Sequence, residues 1–140
     1  MISLLDSSAL IVLMLGWWVA ISSYPRLPDS IPVHFGVSGD ADRWGGRWMI
    51  FLTPAIATTI YAVDWFMFAR MAGTPRIPAT MLLPLHLLLL ELTLLFTYVT
   101  WRMAEVAFGR AKGLGMWFLP VVLLAVFGTS AWMIAAGITH

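Results

Sequence analysis

Long apolar runs and short polar intervals alternate along this chain. Leu4 to Ser22 carries no charge after Asp6, and Trp48 to Ala69 carries Asp64 alone. Ala79 to Trp101 holds His86 and Glu91, and Met116 to Ile138 holds no charge. A helix needs roughly 20 mostly apolar residues to cross the hydrocarbon layer of a bilayer, and each run has that length. Membrane strands alternate apolar and polar positions, whereas Leu87 to Leu90 is an unbroken apolar stretch. No Lys or Arg precedes Arg26, so the first run lacks the basic start of a cleaved secretory signal and reads as a retained helix. The pattern predicts an all-α integral membrane protein, a four-transmembrane-helix bundle forming one membrane domain over residues 1–140. Its helices are expected at about 4–22, 48–69, 79–101 and 116–138, with an ordered loop at 24–47 between helices 1 and 2.

Periodicity adds detail. Residues on a helix turn by about 100° each, so His86, Thr93, Thr97 and Thr100 share one narrow stripe. Glu91 and Tyr98 share another, about 140° from His86. Polar groups on two sides predict a central third helix, or one shared with a partner. Close helix approach in lipid depends on small residues, which points to Gly16 with Ala20, Thr58 with Ala62, and Gly128 with Ala131 and Ala135. Pro54 and Pro84 fall near helix starts, where proline is best tolerated. Trp17, Trp18, Trp44, Trp48, Trp101 and Trp117 lie near the span ends, where indole rings favour the interface.

Composition narrows the classes. The 140 residues are 61% hydrophobic and 11% charged, which excludes an ordinary soluble globule. A net charge of +1 without a basic cluster argues against a nucleic-acid partner. The absence of cysteine removes thiolate chemistry and disulfides. Arg26, Arg43, Arg47, Arg102, Arg110 and Lys112 lie in the first and third loops, against Arg70 and Arg76 in the second. The positive-inside rule therefore places loops 24–47 and 102–115 in the cytoplasm. The basic residues of the third loop are expected to rest on anionic headgroups.

The first loop is unusual. It reads YPRLPDSIPVHFGVSGDADRWGGRW over residues 24–48. Pro25, Pro28 and Pro32 stiffen the backbone, and Ser38-Gly39-Asp40 has the chemistry of a turn. Long ordered loops are frequently functional. Leu27-Pro28, Ile31-Pro32, His34-Phe35, Gly39, Asp42, Trp44-Gly45 and a following basic residue, here Arg47, resemble a bacterial family. It is the membrane domain of unknown function at the N-terminus of SdpI-like immunity proteins. The resemblance covers residues 24–48. Arg47 stands where lysine is usual, and Ala41 where proline is common. The longer members also carry further helices. The resemblance implies a bacterial inner-membrane protein, protection against a secreted peptide toxin, and binding of a regulatory partner.

Each polar residue has competing readings. Pro28, Pro32, His34, Phe35, Gly39, Asp42, Trp44, Gly45 and Arg47 form the candidate partner- or ligand-binding loop. His34 with Asp40 or Asp42 falls short of the three or four ligands of a metal site, so a hydrogen bond to Asp42 or to loop backbone is expected instead. Asp42 and Arg47 are spaced to pair across Trp44-Gly45-Gly46 and clip the loop shut. Glu91 lies at mid-membrane, where an ionisable group costs at least ~2.5 kcal/mol and faces the bundle interior or a cavity. Asp64 is expected to pair with Arg70, Arg76 or His86. His86 lacks the second intramembrane histidine of a haem site. No cofactor, metal or catalytic residue is assigned. The expected protein is a non-enzymatic membrane protein that binds a peptide, toxin or regulatory partner through its first loop, in the bilayer and with scope for homo-oligomers. The alternatives are an accessory subunit of a larger membrane complex and a proton- or cation-coupled carrier using Glu91.

Overall fold

A backbone in lipid must satisfy its own hydrogen bonds, and the four apolar runs do so as helices. The computed structural model describes residues 2–71 and 79–138, and four helices there are long and apolar enough to span a membrane. They are α1 (Ile2–Ser23), α2 (Leu52–Met71), α3 (Ala79–Ala107) and α4 (Phe118–Ile138). The second loop beyond Met71, including Arg76, lies outside the described residues. Helix α3 extends past the expected end at Trp101, giving 29 residues. At 1.5 Å per residue that is about 44 Å, longer than the ~30 Å hydrocarbon layer, so one end projects beyond it.

Helix α3 is central. Helices α1 and α2 pack on its histidine–threonine stripe, and α4 packs on the Glu91 side. The stripe supplies the polar contacts. Thr97 Oγ1 donates to the Val12 carbonyl at 3.0 Å, and the hydroxyls of Thr100 and Thr53 lie 2.7 Å apart. Gly16 lets α1 approach there, since a Cβ on it would come within 2.8 Å of Thr97 Oγ1. Trp17 differs from the interfacial expectation. It is half-buried, and its Nε1 donates to Thr58 Oγ1 at 2.9 Å, joining α1 to α2. The small stripe of α4 differs too. Gly128, Ala131 and Ala135 are exposed, and a Cβ on Gly128 would meet nothing within 4 Å. Helix α4 packs on α3 through its other side, leaving no residue of α4 buried.

The ordered loop contains a β-hairpin. Strands β1 (Ser30–Phe35) and β2 (Ala41–Gly46) pair antiparallel, with Ile31 opposite Gly45, Pro32 opposite Trp44 and His34 opposite Arg43. Short 3-10 turns at Tyr24–Arg26 and Arg47–Phe51 join the hairpin to α1 and α2. The connection between the strands closes with Gly36 N–H to the Asp40 carbonyl at 2.9 Å, and Gly39 adopts φ +83°. That left-handed conformation favours glycine.

A hydrophobic core seats this hairpin on the bundle. Ile31, Ile50, Leu27, Ala20, Met103 and Ala104 are buried together, with Phe35, Tyr24 and Phe51 packed against them. Burying one such isoleucine fully is worth roughly 1.5–3 kcal/mol where water is the alternative. The hairpin is therefore held by ordinary hydrophobic burial, whereas the helices below rely on close approach and hydrogen bonds.

Candidate functional site

The hairpin and the third loop form one platform. Gly113 makes an isolated antiparallel bridge to Asp40, and Leu114 N–H donates to the Gly39 carbonyl at 2.7 Å. Two α3 side chains hold this segment from below. Tyr98 donates its hydroxyl to the Leu114 carbonyl at 2.7 Å, and Arg102 Nε donates to the Gly113 carbonyl at 2.7 Å, with a second contact from the Arg102 Nη2. Gly113 must be glycine, because a Cβ there would overlap the Gly39 carbonyl. Neither Gly113 nor Arg102 was among the candidates from sequence. Gly113 sits in an unremarkable glycine-rich stretch, and its partner is over seventy residues away in the chain.

His34 and Asp42 meet as expected, with His34 Nδ1 at 2.6 Å from Asp42 Oδ1. Both side chains are about half exposed, 57% and 51%. An exposed pair of this kind contributes about 0.2–1 kcal/mol, so it trims the hairpin rather than holding it. Asp42 and Arg47 do not pair. Five steps of extended chain at ~3.3 Å each separate them, with Asp42 near the strand connection and Arg47 past the strand's far end. Arg47 instead lies over the Tyr24 ring at 5.3 Å, and its Nε is 4.0 Å from Asp29 Oδ1.

The remaining loop candidates divide by burial. Pro32 is buried and Phe35 packs on the core. A Cβ on Gly45 would crowd Met49 and Val33. These residues, with Gly39, build the platform. Pro28, Arg43 and Trp44 are exposed on it, and Trp44 is 52% exposed. Two of the third loop's three cations have internal partners. Arg102 serves Gly113, and Arg110 is bound to the Glu105 carboxylate, with Nη2 to Oε1 at 2.6 Å. That hydrogen bond holds the Arg110 guanidinium above its ordinary pKa.

Inside the bundle the polar residues split between the two sides of α3. Glu91 Oε1 accepts from Thr129 Oγ1 of α4 at 2.7 Å, and its Oε2 is buried with no hydrogen-bond partner. Glu91 and Tyr98 line a groove of about 370 Å³ between α3 and α4, with Trp117 and Phe118. Tyr98 stacks on Phe118 at 5.2 Å. On the other side, His86 is buried, and its Nδ1 donates to the Leu82 carbonyl at 2.6 Å. Its Nε2 faces Asp6 Oδ1 at 3.3 Å. Asp6, not Asp64, is thus the carboxylate on His86. The sequence does not point to Asp6, because spacing along one helix says nothing about contacts between helices. Asp64 does not pair with Arg70, whose guanidinium lies over Phe66 at 4.7 Å. Arg76 lies outside the described residues.

The geometry defines a multi-pass helical membrane protein with a docked β-hairpin platform at one end. The family profile described as a domain of unknown function (DUF1648) matches residues 9–58, from α1 through the hairpin into α2. An uncharacterised protein of Archaeoglobus fulgidus is 35% identical over 54 residues, covering 39% of this chain. The chain spans about 30% of that relative's length. No solved structure matches.

Proposed function

We propose that this is a non-enzymatic membrane protein that binds an extended peptide, or an extended segment of a partner protein, along the open edge of β2. The observation that carries this is the state of that edge. Gly113 pairs beside Asp40 at its start, and among the described residues no backbone hydrogen bond continues along its outer side from Asp42 to Gly46. Alternate N–H and C=O groups of an edge strand point outward and are a template for a further strand. Strand addition takes affinity from main-chain bonds and specificity from neighbouring side chains. Trp44 and Arg43 are exposed beside the edge, and both residue types dominate binding hot spots. The loop's resemblance to SdpI-like immunity proteins favours a secreted peptide or a regulatory protein as the partner.

Gentle extraction of the full chain from its native membrane, followed by native mass spectrometry, tests this. A bound peptide or protein should accompany the chain, and Trp44→Ala should weaken its retention at least tenfold, about 1.4 kcal/mol. Unchanged retention in Trp44→Ala and in Arg43→Ala, with wild-type expression, would contradict the proposal.

A second reading rests on α4. Its exposed small stripe suits a lateral partner helix in a larger complex. In that case the companion would survive Trp44→Ala and be lost on Gly128→Leu.

A further inference from the structure

At the end of the bundle away from the hairpin, a cavity of about 250 Å³ lies between the start of α1, the end of α2 and the start of α3. Asp6, Tyr61, Asp64, Trp65, Phe68 and His86 line it. Hydrogen-bond geometry constrains one of its pairs. The Leu82 carbonyl can only accept, so His86 Nδ1 carries a proton. A neutral ring would then turn the lone pair of Nε2 on an ionised Asp6 at 3.3 Å. A proton between them removes that conflict, and the pair is neutral whichever atom holds it. Asp64 adds a second carboxylate within electrostatic reach of the same imidazole, so the cavity holds two carboxylates against one histidine. It has no hydrogen bond to a described residue, and Arg70 is turned away onto Phe66.

We propose that this cavity binds a small organic cation, an alkyl- or arylalkylammonium, with its charge on the Asp64 carboxylate. Two carboxylates beside one histidine in an apolar helical bundle are costly, so one further positive charge there is favoured. The volume is several times the ~30 Å³ of a water molecule, which is roomy for a bare ion and suited to a ligand of several carbons. The wall is the right material. Tyr61 and Trp65 present aromatic rings, whose faces attract cations, while the Phe68 ring packs on His86 at 4.8 Å. Among the described residues no group of three or more His, Asp and Glu side chains is arranged to hold a metal ion. The adjoining groove between α2 and α3, about 430 Å³, shares Asp64, Phe68 and Leu89 and gives an alkyl tail an apolar path. The cavity lies at the opposite end from β2, so this site stands or falls independently of peptide binding.

The test is calorimetric titration of the full chain in nanodiscs with phenethylammonium, beside its neutral counterpart 2-phenylethanol. The ammonium should bind saturably at one per chain, and the alcohol should only partition. Asp64→Asn should weaken the ammonium at least tenfold, and Asp64→Glu should retain it. Trp65→Leu, at a position already 66% exposed, should weaken it several-fold without disturbing the fold. Circular dichroism and elution volume establish that each variant is folded. Equal behaviour of ammonium and alcohol, no saturable binding by the wild-type chain, or undiminished binding by folded Asp64→Asn would each overturn the proposal.

Discussion

Gly113 is the tightest point between the two loops. A methyl group there would overlap the Gly39 carbonyl, so Gly113→Ala must push the third loop off the hairpin turn. Forcing atoms into such a contact costs about 1–3 kcal/mol, and thermal unfolding in detergent should show a clear loss. Gly128 gives the opposite expectation. Its surroundings are open and its backbone is helical, so Gly128→Ala should leave the isolated chain as stable or raise its stability by about 0.5–1 kcal/mol. Sequence alone made His34–Asp42 visible, because both residues flank one turn. It gave no warning of Asp6–His86 or Gly113–Gly39, since each contact depends on how separate elements are brought together.

Four of the structural elements announce themselves by length and hydropathy, and the helices fall where those runs do. The hairpin is less obvious. Pro32 interrupts the Ile31, Val33 and Phe35 pattern in the middle of β1, and Gly45 and Gly46 end β2, so the strand signals are broken. The projecting end of α3 is hidden for a similar reason. Arg102 looks like the end of a span, yet its guanidinium is spent on the Gly113 carbonyl and the helix continues to Ala107. That end of α3 is the bracket for the platform. Removing its two props, in Tyr98→Phe with Arg102→Ala, should speed hydrogen exchange of the Leu114 amide more than tenfold while leaving the amides of α1 unchanged. Helix α4 is tied to α3 by the Thr129–Glu91 hydrogen bond. Such bonds in membranes are worth about 0.6 kcal/mol on average, so Thr129→Val should loosen α4 modestly and leave the hairpin in place.

At the scale of the whole molecule, the two ends of the bundle differ in kind. One end carries a stiff, hydrophobically seated platform with an unfinished strand edge. The other carries a small polar cavity with aromatic walls. Helix α3 reaches both, with its histidine–threonine face packed against α1 and α2 and its Glu91 face turned to α4. The outer edge of β2 is the proposed site of partner binding. Photo-crosslinking in the native membrane addresses this directly, with benzoylphenylalanine replacing the exposed Asp42 on β2 and, as a control, Trp132 on the exposed side of α4. A discrete peptide or protein adduct from position 42, with lipid alone from position 132, is the predicted result. Protein adducts from position 132 with none from position 42 would contradict it.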